Sequence, residues 1–411
     1  MEGPPLFLTS SILRMETSPE AQIRSRIAAK GRITFAEYME TALYDPHGGF
    51  YSSGRGVGPD YFTSPAAHPT FAAVIAVQLH SMWEALGRPS KFYVIEPGAS
   101  NGLLAADVQA AASGDFADAL RYIAVDRTTP GNLDREVERV RASGLPFRSV
   151  VGCIISNELF DAFPVHRFRM SRGKIEEIFV TTDTNEALTN APGEPSTPLM
   201  EKRVRRLSVD LPDGFEGEVC VTIEPWMAQA AELLERGFVL TIDYGYDGAE
   251  RLRRDRASGT LQTYRRHTQG TDFYERIGRQ DITADVDFGH LEDAGDAARL
   301  RTVGRLDQSE FLKRNGFDHM LDKLRRMDLD ERERQANRLG MLELVKSPGL
   351  GDFKVLVQEK NTGVSDLVEL LPETSAIETT EIPLLSPDHM KLMESRYPHL
   401  AWELENLWPF S

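Results

Sequence analysis

Four apolar runs in this chain each end in residues able to bind a ligand or handle a proton. Lys91-Phe92-Tyr93-Val94-Ile95 runs into Glu96, then Gly98, Ser100 and Gly102. Tyr122-Ile123-Ala124-Val125 ends in Asp126, Ile154-Ile155-Ser156 in Asn157-Glu158, and Leu240-Thr241-Ile242 in Asp243. Glycines let a backbone pass close to a ligand, and the helix-like segment after Gly102 offers free N–H groups at its start. An acid at the tip of a second parallel strand, as Asp126 would be, can accept both ribose hydroxyls of a nucleoside. The pattern points to a nucleoside-cofactor site, with a purely structural strand–helix turn as the alternative.

Other candidates surround these. Asp161 follows Glu158 by three residues, and the two acids can hold a cationic nitrogen nucleophile by charge-assisted hydrogen bonds. The alternative reads Asp161 as a helix cap and Glu158 as a cap or ion-pair partner. His267 is a candidate proton acceptor, set against an ordinary surface histidine. Asp281, Asp285 and Asp287 alternate with apolar residues, which suits a half-buried strand. Their spacing is not diagnostic of a divalent cation, and no metal is expected.

The elements that must position these groups follow from apolar periodicity. Strands are predicted at 92–96, 121–125, 151–156 and 238–243, with helical segments among them, the signature of a parallel sheet. Pro69 to Leu86 carries helical spacing at Phe71, Val74, Ile75, Leu79 and Met82. Thr34 reads as an N-cap with Glu37 at the capping-box spacing. Short β-like runs at 166–170, 175–181 and 219–223, with a polar loop at 183–198, suggest an inserted antiparallel lobe. Residues 305–346 read as helical, and 353–358 as a last strand. The expected organisation is therefore a helical cap over 1–90 and a cofactor core over 91–164, 224–260 and 350–360. The inserted lobe covers 165–223, a substrate-side region 261–349 and an acidic tail 361–411. Spacing of Trp402, Leu404, Glu405 and Trp408 allows the tail to dock on the body or on a second copy in a homodimer.

Composition bounds the rest. A chain of 411 residues with 41% hydrophobic and 27% charged residues reads as globular. The formal net charge of −16 argues against nucleic acid and anionic membranes and suits a cationic substrate. No apolar run is long enough to span a bilayer. Two isolated cysteines, Cys153 and Cys220, make neither a disulfide framework nor a zinc site, and a cytoplasmic location is expected.

The 96–102 turn lacks the spacing of a dinucleotide fingerprint. It follows the Glu-x-Gly-x-Gly-x-Gly type of S-adenosylmethionine sites, with Ser100 in place of one glycine. A serine fits there if its φ is negative. Further strings are Leu43-Tyr44-Asp45-Pro46, Phe62-Thr63-Ser64-Pro65, Asn157-Glu158-Leu159-Phe160-Asp161-Ala162-Phe163-Pro164 and Asp281-Ile282-Thr283-Ala284-Asp285. In this order, over about Gly31 to Lys360, the chain resembles the MidA-like S-adenosylmethionine-dependent methyltransferases, the complex I assembly-factor type with bacterial relatives. The resemblance implies an α/β, class I methyltransferase (Rossmann-like) sheet domain with an N-terminal helical cap and an inserted α+β lobe. It implies S-adenosylmethionine as cofactor, held by Glu96, Gly98, Ser100, Gly102, Asp126, Asn157 and Thr63. Glu158, Asp161, Asp243 and His267 are the residues expected to orient or deprotonate an acceptor. That acceptor is a protein side chain, such as arginine, or a small molecule; a non-catalytic assembly role is the third reading.

Overall fold

A computed structural model describes residues 18–53, 63–128, 137–206, 211–246, 258–265 and 268–389. They fall into two compact units. One lies within Tyr61–Leu159, Glu224–Gly245 and Leu291–Ser411, the other within Met1–Asp60, Phe160–Ile223 and Tyr246–His290.

The first unit is built on seven strands: β1 (Phe92–Pro97), β2 (Leu120–Asp126), β3 (Glu138–Arg141), β4 (Val150–Asn157), β5 (Leu234–Asp243), β6 (Arg301–Asp307) and β7 (Lys354–Lys360). Their order across the sheet is β3-β2-β1-β4-β5-β7-β6. The first five are mutually parallel, and β7 runs antiparallel to both β5 and β6. This is a Rossmann-like α/β sheet. Strands buried on both faces read as near-continuous apolar runs, which is why β1, β2, β4 and β5 were visible as such. The helix Thr70–Ala85 is apolar around most of its circumference and is almost wholly buried in the same core, with Phe71, Val74, Ile75, Leu79 and Met82 all inaccessible.

The second unit holds an antiparallel sheet in the order Leu188–Gly193, Lys174–Thr182, His166–Ser171, Glu216–Val219. Helices Pro19–Lys30 and Phe35–Tyr44 belong to it, the latter opened by the expected Thr34–Glu37 capping box. Ile33 bridges to Val180, joining this N-terminal segment to the lobe sheet.

Several expectations are corrected. Of the cap expected over 1–90, residues 18–53 fall in one unit and 63–90 in the other, and the region expected over 261–349 divides at 290 and 291. The strand expected at 219–223 is Glu216–Val219, and a helix starts at Ile223. Leu188–Gly193 lies inside the stretch read as a loop; it is a strand because it pairs with its neighbour, not because of its own polar composition. Residues 305–307 end β6 rather than begin a helix. β3, Glu-Arg-Val-Arg, had no apolar run to reveal it. The tail packs on the first unit as far as it is described, burying Leu370 and Val364. Its aromatic end, 397–410, lies outside the described residues.

Candidate functional site

From β1 the chain winds outward through β2 and β3, then returns to β4 on β1's other side and continues to β5. The carboxyl ends of β1 and β4 therefore flank a topological switch point, where open α/β sheets bind ligands. Glu96 is the last residue but one of β1, Asp126 ends β2, Asn157 ends β4 and Asp243 ends β5, so four of the expected residues share one sheet edge.

The turn after β1 is left-handed at alternate residues: Gly98 has φ +71°, Ser100 +49° and Gly102 +78°. The negative φ under which a serine would fit without strain is thus not met at Ser100. A Cβ on Gly98 would stand 2.8 Å from Leu159 Cδ1, and one on Gly102 2.8 Å from Arg139 Nη2, both movable side-chain ends, so it is the left-handed backbone more than the space that favours glycine there. Ser100 is held in its conformation from outside. Its N–H donates to Asp126 Oδ2 at 3.0 Å, while Asp126 Oδ1 accepts the Thr128 N–H at 2.9 Å. The Ala99 N–H donates to Val125 O at 3.2 Å, and Arg139 donates to the Asn101 carbonyl. A side chain in the left-handed region costs about 1 kcal/mol. Ser100→Gly is therefore expected to raise stability by about that amount, read by thermal melting, with no loss of cofactor affinity.

Glu96 is 5% exposed, and Tyr122 O–H donates to its Oε2 at 3.0 Å. Burial pushes the Glu96 carboxyl up to about 8, against the opposing pull of the Tyr122 hydrogen bond. Such an acid gains its charge when a cation comes to rest beside it. The arrangement fits the expected cofactor. It offers a buried acid for the methionine ammonium, a strand-end aspartate for the ribose, and a glycine-lined backbone between them.

Beyond β4 the Glu158 backbone is also left-handed, with φ +51°, and its N–H donates to Ile242 O at 2.9 Å. Asn157 Nδ2 donates to Glu158 Oε1 at 3.0 Å. Asn157 Oδ1 is buried with no hydrogen-bond partner among the described residues. Asp243 is fully buried. Its Oδ2 accepts the Leu159 N–H at 3.1 Å and its Oδ1 the Tyr244 N–H at 2.9 Å. That geometry makes it a brace for the turn after β4 and not an acid open to an acceptor. Thr63 caps the short helix Ser64–Ala67 through its hydroxyl, which accepts the Ala66 N–H at 3.4 Å.

Asp161 belongs to the other unit, where it is buried and its carbonyl accepts the Ala284 N–H at 2.9 Å. His267 lies outside the described residues. Asp281 accepts Tyr51 O–H at 2.9 Å and Asp287 pairs with Arg203 at 3.4 Å, so these two aspartates are met by protein partners.

Two residues at the site had escaped the sequence reading. Tyr122 sits two residues before Ala124, the register partner of Glu96, and so shares a sheet face with it; that relation exists only once β1 and β2 pair. Arg139 reaches the loop from β3, the strand without an apolar signal.

Known proteins agree with this geometry. The family model described as "Putative S-adenosyl-L-methionine-dependent methyltransferase" matches residues 74–306, more than half of the chain. A protein of Danio rerio named protein arginine methyltransferase NDUFAF7, mitochondrial, is 27% identical over 74% of this chain and 77% of its own length. The Drosophila melanogaster homologue is 26% identical over 74% and 76%. Among solved structures, a Burkholderia thailandensis protein bound to S-adenosyl-homocysteine superposes with a TM-score of 0.73 at 25% identity, covering 93% of this chain and 99% of that one. Sheet order, left-handed glycine turn and family match converge: the chain belongs to this family of S-adenosylmethionine-dependent methyltransferases.

Proposed function

We propose that the chain methylates a nitrogen of a protein side chain, with an arginine guanidinium as acceptor. The observation that carries this reading is Glu158. Of the acids at the strand ends, Glu96 and Asp243 are buried, and Asp126 lies beside the glycine turn on the side given to the cofactor, whereas Glu158 accepts the side-chain N–H of its neighbour Asn157. Glu158 is only partly buried, directly follows the β4 end of the switch point, and is held in a left-handed conformation. Strained residues of this kind concentrate at functional sites. A carboxylate there can accept the N–H groups of a planar guanidinium in charge-assisted hydrogen bonds. The names of the Danio and Drosophila relatives support the same acceptor, and the net charge of −16 favours approach of a basic segment.

When bound, S-adenosylmethionine supplies an electrophilic methyl group on a sulfonium. The chain's own groups do the positioning. Glu96, braced by Tyr122, would hold the ammonium end, Asp126 the ribose, and the backbone at Gly98, Ser100 and Gly102 would line the approach. Asn157, with its buried Oδ1 open, would face the junction of cofactor and acceptor. Glu158 would align the acceptor nitrogen, so that much of the acceleration comes from orientation. A guanidinium gives up its proton reluctantly, so proton loss accompanies or follows transfer, with the Glu158 carboxylate as the nearest acceptor in this scheme. Asp243 braces the turn that carries Glu158. A cytoplasmic setting is part of the proposal, supported by Cys153 and Cys220 standing outside any disulfide.

The test uses labelled methyl donor, host extract and the intact protein. An arginine peptide heavier by one labelled methyl group, and absent with Glu158→Ala, supports the reading. Label confined to metabolites overturns it.

A further inference from the structure

The helix Leu103–Ala111 starts at Gly102, the last residue of the left-handed turn. Its fifth residue, Asp107, is a carboxylate only 7% exposed. A partner arrives from 282 residues away in sequence: His389 Nε2 lies 2.9 Å from Asp107 Oδ2. His389 is itself fixed. The Ser386 N–H points to its Nδ1 at 3.2 Å, and the Ser386 hydroxyl lies 2.9 Å from the same nitrogen. With Nδ1 accepting, Nε2 carries the proton and donates to Asp107.

The preceding residue pair is clamped as well. The Leu385 N–H donates to Asn337 Oδ1 at 2.8 Å, and that oxygen also faces His68 Nε2 at 3.0 Å. His68 in turn accepts the Thr70 N–H at its Nδ1, 3.1 Å away. Leu384 and Ile382 pack on the core of the same unit. Residues 382–389 thus form a strap. It is tied to the helix Glu331–Leu344 through Asn337 and to the segment before the helix Thr70–Ala85 through His68. Through Asp107 it is tied to the helix that carries the glycine turn. The charged or titratable groups meeting there are Asp107, His389 and His68.

We propose that His389 is a positioning residue for cofactor binding. Through its hydrogen bond to Asp107, the strap sets the placement of the helix Leu103–Ala111 and so of the turn Gly98–Gly102. The inference rests on the assignment of that turn to the cofactor. His389 reaches the turn only through Asp107. A buried polar pair can act this way because either partner, left alone, must find another arrangement, and the helix can move only by repacking. A binding turn tolerates little displacement.

The experiment is calorimetric titration of the full chain with S-adenosylhomocysteine. His389→Phe is expected to weaken binding about tenfold. His389→Gln keeps an N–H donor near the Nε2 position, and it should restore affinity to within about twofold of wild type. Asp107→Ala should match His389→Phe, with the double variant no weaker than either single one. A folded His389→Phe that binds like wild type overturns the proposal, and so does an additive double variant or a glutamine that fails to rescue. Should His389→Phe not fold, Ser386→Ala decides. It leaves the pair and the backbone N–H at Nδ1 in place but removes the hydroxyl that also holds the ring, and affinity lowered about threefold supports the strap, whereas unchanged affinity overturns it. A wild-type chain that fails to bind would remove the cofactor assignment itself, a result distinct from an unaffected variant beside a binding wild type.

Discussion

Glu96→Gln is expected to weaken S-adenosylmethionine binding about a hundredfold at pH 8, the usual scale for losing one charge of a buried, hydrogen-bonded pair. The pH dependence carries the more specific information. Burial lifts the carboxyl from its ordinary 4.5 to about 8, so the ligand-free protein holds a proton there at neutral pH. Accepting an ammonium group displaces that proton. Apparent affinity in the wild type should therefore climb about tenfold per pH unit between pH 6 and 7 and level off near 8. Above that the methionine amine begins to lose its own charge, with a pKa of about 8. Calorimetry in buffers of different ionisation enthalpy should register release of close to one proton near pH 6.5. Glu96→Gln should abolish both the slope and the release. A wild type whose affinity is flat from pH 6 to 8 would show that this carboxyl does not meet the cofactor's charge.

Stability runs the other way with pH. The folded chain keeps a proton on Glu96 that the unfolded chain gives up at its ordinary value of 4.5. The contribution of this group is full below that value and is lost as pH rises toward about 8. The same burial that tunes the acid for a cation therefore weakens the empty protein across the range in which binding strengthens.

Asp243→Ala is expected to destabilise the sheet unit by about 2 kcal/mol, from the two partly buried backbone N–H groups it would strand. Those groups belong to Leu159 and Tyr244, on the turns that follow β4 and β5. Urea unfolding should report the loss, and Asp243→Asn, which keeps one acceptor oxygen, should recover about half of it. This outcome separates a brace from a proton acceptor. A catalytic acid could be removed with the melting temperature unchanged and activity gone. A brace takes stability down first, with activity following because the Glu158 backbone, bonded to Ile242 O, is released.

Much of this site was legible in the chain alone because of where it lies. Strand ends in a parallel sheet follow continuous apolar runs, so Glu96, Asp126, Asn157-Glu158 and Asp243 all stood out as the first polar residue after such a run. The glycine turn was equally visible, since its spacing is local and its backbone demands are local. What a residue does at the end of its strand was harder to read. Asp243 and Glu158 look alike in sequence, yet one is sealed around two N–H groups and the other stays partly exposed.

Ser100 shows the same division at a single position. Its replacement of a glycine could be read directly, and the intrinsic preference of an L-residue for negative φ set the condition for a serine to fit there without strain. The fold overrides that preference. Asp126, brought alongside by the pairing of β1 with β2, takes the Ser100 N–H and secures a φ of +49°. Tyr122 beside Glu96, Arg139 against Gly102, and His389 on Asp107 are likewise products of distance collapsed by folding, across 26, 37 and 282 residues. The chain by itself determined the class of sheet and which acids and glycines stand at the ends of its strands, because periodicity and turn chemistry act between near neighbours. Only the tertiary structure decided which acids are buried, which are braced and which stay partly exposed. Charge, desolvation and hydrogen bonding depend on groups that sequence order keeps apart.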